Sequence, residues 1–525
     1  MTSAVLSMLH EPATHHSAAR TFRGRPVIEW TLRRLGRCRR VDRAVAICWA
    51  DQADAVAAIG AEAIVIGARR QIAATEATAA ARRWADGWRG GLSSCCEFDL
   101  GFHAESLLRI GGGAILVDPA AAFVDPGIVE QVVERGRDGD NELAFAPAAV
   151  GFATVYLASA VIERLAAAKA SPGVLFAYQP DAPLRDPLAS PGCVAPSLVV
   201  ARSGRRFKLD SAFQTGRFSR LLESKTDDQV FALPAEELVR LEASLPVDPL
   251  PRDVTVELTT RRQSRPVFSL LRNGDLRREE LSVSSAGVLF EELAARDDVR
   301  VTLAGVGDPL LHPRLAEVVA AARSAGISSI HLETDLLADP VVVEGLADLP
   351  IDVVSVHLPA LTEHTYEKLM GTPGLKPAMA NVQRLIARRQ HRGTPIVAPT
   401  FVKTRDNLAE MEAWYDAWIR AVGSAVIAYP SDFAGLLQHD VSVGDMSPPL
   451  RVPCRRIASR MTVLSDGSVV SCEEDLAGRR QMGRIGQSAI RDIWQARFAE
   501  LRSVHADRRW TSCGVCAQCK EWNRP

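Results

Sequence analysis

CRRIASRMTVLSDGSVVSC (454–472), followed downstream by CGVCAQC (513–519), holds five of the chain's ten cysteines and decides how the rest is read. A C-x2-C turn brings two thiolates to one metal or one cluster, and a distant pair supplied by a hairpin completes a set of four. Soft thiolates select zinc, Cu(I) or iron–sulfur clusters. The spacing alone leaves a four-thiolate zinc site and a [4Fe–4S] cluster both open. Five thiols exceed what either needs, so one of Cys513, Cys516 and Cys519 is surplus, structural or redox-active. The segment that holds them, about 450–525, has few apolar runs. So small a core usually needs a metal to hold it.

Upstream of the cysteines, short β-rich runs recur at Val254–Leu258, Val299–Leu303, Ser329–Leu332, Val353–Leu358, Ile396–Phe401 and Ala425–Tyr429. Helical stretches separate them, among them Val288–Ala295, Pro313–Ala325 and Leu408–Ala421. Six β/α repeats over 251–435 predict a parallel sheet curled into a partial (β/α)6 barrel, with chemistry in the loops after the strands. Over residues 1–245, strand-like runs (Ala4–Leu9, Ala44–Trp49, Ala63–Ile66, Gly113–Asp118) alternate with helical patterns (Val27–Leu35, Gln52–Ile59, Pro126–Arg135). That alternation predicts an open α/β sheet. PVDPLPRD (246–253) marks the boundary between the two. Residues 183–193 read as a loop, Ala74–Ala81 as plain helix, and Trp84, Trp88, Trp414 and Trp418 as core positions on helices. RRLGRCRR (33–40) reads as an exposed basic helix end.

Composition narrows the function classes. A chain of 525 residues that is 47% hydrophobic and 24% charged is not largely disordered. A net charge of -1 gives no reason to expect nucleic acid or an anionic membrane as partner. No run approaches the roughly 20 apolar residues of a membrane span, and the start MTSAVLSMLHEP lacks a basic n-region. A cytoplasmic protein is expected, whose cysteines are thiols or metal ligands rather than disulfides.

Three further features give the C-terminal segment a family likeness: the G-x4-C of Gly467 and Cys472, the stretches Met482–Gly486 and Ile490–Trp494, and Cys516 and Cys519 ahead of Glu521-Trp522. It resembles the SPASM/twitch extension of radical SAM enzymes, in the shortened form with one auxiliary cluster. The resemblance implies one [4Fe–4S] cluster held by Cys454, Cys472, Cys516 and Cys519, with Cys513 as a substitute ligand. ELTTRRQSRPVFS (257–269), AGVGDPLLHP (304–313) and DVVSVHLPALTEHTYEKLMG (352–371) make 251–435 resemble the radical SAM core. By that likeness Gly305, Gly307 and Asp308 are candidates for a retained S-adenosylmethionine pocket: the glycines permit close backbone approach and Asp308 can pair with an ammonium. The same G-V-G-D-P is also an ordinary capped strand-to-helix turn. The family's C-x3-C-x2-C is replaced by Arg262, Pro266 and Ser269, none of which is a thiolate. No cysteine lies between Cys193 and Cys454. Reductive cleavage of S-adenosylmethionine is therefore not expected, and the core reads as that of a pseudoenzyme.

RTFRGRPVIEWTLRRLGRCRRVDRAVAICWADQADAVAA (20–58) and GGGAILVDPAAAFVDPGIVEQVVE (111–134) resemble nucleotide-diphospho-sugar transferases, cytidylyltransferases above all. The likeness places Asp118 where an acidic residue helps hold Mg²⁺; a turn or cap is the alternative role. The loop HEPATHHSAARTF (10–22) has no glycine to cradle a triphosphate, so the domain reads as degenerate. His15 and His16 are either metal ligands or members of a solvated loop. The three segments in this order resemble the spiro-SPASM proteins.

The expected function is binding of a substrate or partner, or electron relay, in a biosynthetic or modification pathway. The expected partner is a small molecule, a peptide or an intact radical SAM protein, with neither nucleic acid nor membrane involved. Two alternatives stand beside it: an active enzyme using S-adenosylmethionine or a nucleotide-sugar, and a zinc-stapled interaction protein.

Overall fold

The computed structural model describes residues 1–70, 95–176, 189–201, 203, 205–389, 393–423, 425–437, 441–444 and 447–523. Ala74–Ala81, Trp84, Trp88 and most of the loop expected at 183–193 lie outside the described residues. The chain divides into two compact units, one holding the described residues up to Pro246 and the other those from Val247.

The first unit is built on a six-stranded sheet. Its strands are β1 (Thr2–Ser7), β2 (Arg43–Cys48), β3 (Glu62–Val65), β4 (Gly113–Val117), β5 (Leu143–Ala146) and β6 (Thr154–Leu157), in the order β3-β2-β1-β4-β6-β5. The first four are parallel, and β6 runs against both β4 and β5. Side chains alternate between two apolar cores. Ala4, Leu6, Ala46, Ile115 and Val117 face one, while Val5, Val45, Ile47, Ala114 and Leu116 face the other. A parallel sheet covered on both faces requires such near-continuous apolar strands. In the run RRLGRCRR, Arg33, Arg37 and Arg39 are exposed, as an exposed helix end requires, and Arg34 departs from that reading. Arg34 is buried, and its guanidinium donates to the carbonyls of Val124, Val230 and Leu233. A guanidinium that ties three main-chain segments together is structural.

The second unit has a nine-stranded sheet. Six strands are parallel: β7 (Asp253–Val256), β8 (Arg300–Leu303), β9 (Ser329–Thr334), β10 (Val353–His357), β11 (Ile396–Val402) and β12 (Val426–Ala428). The helix after β7 begins at Val283, earlier than its apolar pattern indicates, because Ser282 caps it by accepting from the Ser285 N–H at 3.0 Å. The C-terminal segment adds β13 (Arg460–Val463), β14 (Ser468–Val470) and β15 (Gln481–Arg484). β13 pairs in parallel with β7, giving the order β12-β11-β10-β9-β8-β7-β13-β14-β15. The segments read from sequence as 251–435 and 450–525 thus share one sheet and one core, because the apolar side chains of β13 have β7 to pack beside. Gly467 turns the β13–β14 hairpin at φ +86, a left-handed conformation that glycine adopts without strain. Trp494 is buried and donates its indole N–H to the Asp248 carbonyl at 2.8 Å.

The parallel strands of this unit are two-faced. Val254, Val256, Val301, Leu303, Ile330, Leu332, Val354 and Val356 belong to the apolar core. The alternating positions carry Thr255, Thr302, His331, Glu333, Ser355 and His357. Parallel sheets ordinarily bury apolar residues on both sides, so a polar second face marks a site. Among the described residues, no helix is long and apolar enough to cross a membrane.

Candidate functional sites: a sulfur cluster and a polar cavity

The hairpin and the C-terminal turn bring the predicted cysteines into one neighbourhood. Cys472 follows β14, and Cys513 precedes the short helix Gly514–Gln518, which carries Cys516 and ends at Cys519. Burial raises the Cys472 thiol, and Glu474 and Cys454 raise it further. Cys519 is raised by burial, then by Glu474, Cys472 and Cys454. Cys516 is raised first by its hydrogen bond with Cys513, then by burial, with Cys472 and Cys454 adding to it. Cys454 thus acts on Cys472, Cys516 and Cys519, and Cys472 acts on the latter two.

Cys513 behaves differently. It is buried and sits 2.7 Å from Nη1 of Arg480. Its hydrogen bond with Cys516, together with the Arg480 cation, holds it down to about 5 against the opposing effect of burial. Among the described residues, no three His, Cys, Asp or Glu donors are gathered tightly enough to hold a single metal ion. The donor set nonetheless fits an iron–sulfur cluster. Buried sulfurs that resist ionisation together need a cationic centre among them to become thiolates, and ligand closure accompanies metal binding. Main-chain donors are in place too, since the Glu521 N–H lies 3.3 Å from Cys519 Sγ.

A cavity of about 130 Å³ lies on the polar face of the second sheet. Thr255, Glu333, Ser355, His357 and Thr400 line it from the parallel strands, and Tyr429 and Ser431 from the segment after β12. Glu473 and Glu474, the two residues after Cys472, complete the wall. Glu473 accepts from Thr255 Oγ1 at 2.8 Å, and Glu474 from Ser431 Oγ at 2.5 Å and Arg456 at 3.2 Å. Burial and the neighbouring Glu521 push Glu474 up to about 7. Lys403 donates to the Tyr429 hydroxyl at 2.6 Å, and burial brings its amine down to about 8.

Arg262, the first of the three positions where the sequence likeness would place a cysteine, also lines the cavity. Its guanidinium grips Asp335 through two hydrogen bonds of 2.6 and 2.7 Å. Ser264 Oγ donates to the same carboxylate at 2.5 Å, and His357 Nδ1 lies 3.1 Å from it. Against the cost of burial, Arg262 and His357 hold Asp335 far below the usual carboxylate range. Ser269 lines the cavity as well, its Oγ accepting from the Leu271 N–H at 3.3 Å.

The three residues expected for an S-adenosylmethionine pocket have internal duties. Gly305 lines the cavity, but a Cβ there would stand 2.6 Å from the Glu257 side chain. A Cβ on Gly307 would meet the Thr259 carbonyl at 2.2 Å. Asp308 is buried, and its carboxylate accepts from the N–H groups of Leu310 and Asp335 and from Thr334 Oγ1. These contacts account for both glycines and the aspartate as a packed, capped turn.

In the first unit, Asp118 stands at the end of β4, where the Lys208 ammonium lies 2.6 Å from its Oδ2 and His10 Nε2 lies 3.6 Å away. The place expected for a divalent cation is thus served by a lysine. His15 is exposed while His16 is buried, so the two do not form a paired clamp. Burial lowers the pKa of His10, but its hydrogen bond and attraction to Asp118 outweigh that, and the net shift is upward. A histidine raised on folding stabilises the fold fully below its unfolded value of about 6.5 and loses that contribution as pH rises through its folded value. Thermal stability of the first unit is accordingly expected to fall as pH rises above about 6.5. His10→Gln should flatten that slope in a pH series of melting curves.

Sequence alone missed Asp335, Lys208, His331, Glu333 and Ser355. The period-2 alternation of polar and apolar residues in IHLET (330–334) and VVSVH (353–357) was the available signal for the last three.

With this geometry in view, comparisons with known proteins bear on the C-terminal segment. Residues 454–520 match the SPASM family model, described as an iron–sulfur cluster-binding domain. A relative from Treponema pallidum (strain Nichols), described as an uncharacterized protein, is 27% identical over 238 residues. The match spans 42% of this chain and 64% of that relative, less than two thirds of its length. Among solved structures, BtrN in complex with AdoMet and 2-DOIA is similar at 18% identity and a TM-score of 0.35, over 51% of this chain and 93% of that one. Streptococcus suis SuiB bound to the precursor peptide SuiA is similar at 13% identity and a TM-score of 0.42, over 61% and 78%. Residues 454–520 thus carry a SPASM domain, an iron–sulfur cluster-binding domain by its family model.

Proposed function

We propose that this chain binds one auxiliary [4Fe–4S] cluster through Cys454, Cys472, Cys516 and Cys519, and receives a small molecule or a peptide side chain in the adjoining cavity, without cleaving S-adenosylmethionine itself. The observation that carries this reading is the run Cys472-Glu473-Glu474, in which the two residues after a ligand sulfur form a wall of the cavity. A bound cluster supplies one-electron transfer at that wall. Glu473 and Glu474 anchor hydroxyl and guanidinium groups there. Arg480 holds Cys513 aside, which supports Cys513 as the spare thiol.

The Arg262–Asp335 pair supports the absence of cleavage. A guanidinium bonded to a carboxylate sits where a thiolate would be required, and the parallel strands behind it are read as a partial barrel of radical SAM type. In the first unit, Lys208 on Asp118 supports a nucleotide-diphospho-sugar transferase-like domain that no longer transfers nucleotides.

The experiment is anaerobic reconstitution followed by incubation with S-adenosylmethionine and dithionite. Broad visible absorption bleached by dithionite is expected, with no 5′-deoxyadenosine formed. Zinc without iron at the C-terminal site would overturn the cluster. Release of 5′-deoxyadenosine would overturn the missing cleavage.

A further inference from the structure

Thr302, His331 and Ser355 lie on the adjacent strands β8, β9 and β10, all on the polar face. Thr302 is the register partner of His331, and Glu333 that of Ser355. His331 Nε2 stands 2.8 Å from Ser355 Oγ. On the far side of the ring, Nδ1 is 3.4 Å from Thr302 Oγ1 and 3.9 Å from Glu333 Oε1. Ser355 and Glu333 line the cavity, while His331 is only 1% exposed behind them.

The order is a hydroxyl at a cavity wall, an imidazole behind it, and a carboxylate near the imidazole's other nitrogen. This is the arrangement by which a weak hydroxyl becomes a nucleophile. With the proton on Nδ1, directed at Thr302 Oγ1, the Nε2 lone pair is left for the hydroxyl proton. Neighbouring strands hold all four side chains, and a rigid sheet positions groups better than a loop does. The Arg262 guanidinium, bonded to Asp335, lines the same cavity.

We propose that Ser355 is the nucleophile of an acyl-transfer site, with His331 as its general base, acting on an ester or thioester small enough to enter this cavity. In the first half, a bond forms between Ser355 Oγ and the carbonyl carbon while the hydroxyl proton passes to His331 Nε2. The carbon–oxygen or carbon–sulfur bond of the ester then breaks, and the leaving alcohol or thiol takes that proton. In the second half, water attacks the acyl-serine, His331 accepts its proton, and the proton returns to Ser355 Oγ as the acid departs. The sequence needs no oxidant and no reductant. It does not depend on what the C-terminal sulfurs hold, so its failure and that of the cluster reading are separable.

The test is labelling of the full-length protein with diisopropyl fluorophosphate, in which the Ser355 Oγ–P bond forms, the P–F bond breaks and fluoride leaves. One adduct per chain, mapped to Ser355 by peptide mass analysis, is expected in the native protein and none at that position in Ser355→Ala. Labelling should slow by about 100-fold or more in His331→Gln. An unlabelled native chain, an adduct mapped only elsewhere, or an unchanged rate in His331→Gln would overturn the proposal. Should His331→Gln fail to fold, the pH profile of labelling in the native protein decides. Labelling that falls away in acid along a single titration supports a histidine base, and a flat profile overturns it.

Discussion

Cys472→Ala and Cys519→Ala are each expected to bring iron from about four per chain to near zero after anaerobic reconstitution, while Cys513→Ala retains the full complement. The expectation follows from where the sulfurs sit. Cys472, Cys516 and Cys519 each carry the imprint of the charge on Cys454. Cys513 is engaged by Arg480 and by a hydrogen bond to Cys516. Removing one of four ligands also costs stability, because binding free energy at such a site is folding free energy. The C-terminal helix Ile490–Ala506 and the turn after it should then lose amide-exchange protection before the parallel strands do. Iron and sulfide analysis checks the first outcome. Iron lost from Cys513→Ala and kept by Cys519→Ala would instead assign the set to Cys454, Cys472, Cys513 and Cys516.

The second large effect is expected at Arg262. Arg262→Met leaves the Asp335 carboxylate buried beside Ser264 and His357 without its guanidinium, and should destabilise the second unit by about 3–5 kcal/mol. Both side chains of the pair are buried, 8% and 1% exposed, so water does little to soften the loss. The double variant Arg262→Met/Asp335→Leu should recover much of it, because removing both charges removes the uncompensated one. Urea unfolding of the single and double variants measures the difference. The pH dependence has a defined sign. Asp335 is depressed on folding, so its contribution is complete above the unfolded carboxylate value of about 3.9 and is lost as pH falls through its lower folded value. The gap between wild type and Arg262→Met should therefore stay wide at neutral pH and narrow only in strong acid.

The strands were legible because apolar β-branched runs bounded by helical patterns fall where β7 to β12 lie. The cysteine tail was legible as SPASM-like because its G-x4-C and C-x2-C spacings carry the likeness that the family model also finds at 454–520. Partnerships across long sequence distances were not legible. Nothing in the local spacing of Arg262 names Asp335, 73 residues on, or couples Lys208 to Asp118. That position 262 is not a thiolate could be read from one residue, whereas what Arg262 bonds to required the fold. The same holds for Gly305, Gly307 and Asp308. Their pattern suits a ligand turn and a capped turn equally, and only the crowding by Glu257 and Thr259 shows which contacts they make. The period-2 alternation that marks His331, Glu333 and Ser355 was present in the sequence, but alternation in a parallel strand gains its meaning only once the other face is seen to be packed by helices.

The parallel pairing of Arg460–Val463 with Asp253–Val256 has a consequence for how the protein can be divided. A chain cut near residue 450 would strip the β7 edge of its hydrogen-bonding neighbour and leave a row of bare amides and carbonyls ready to recruit strands from other molecules. The sulfur-bearing tail is therefore a clasp as well as a cofactor holder.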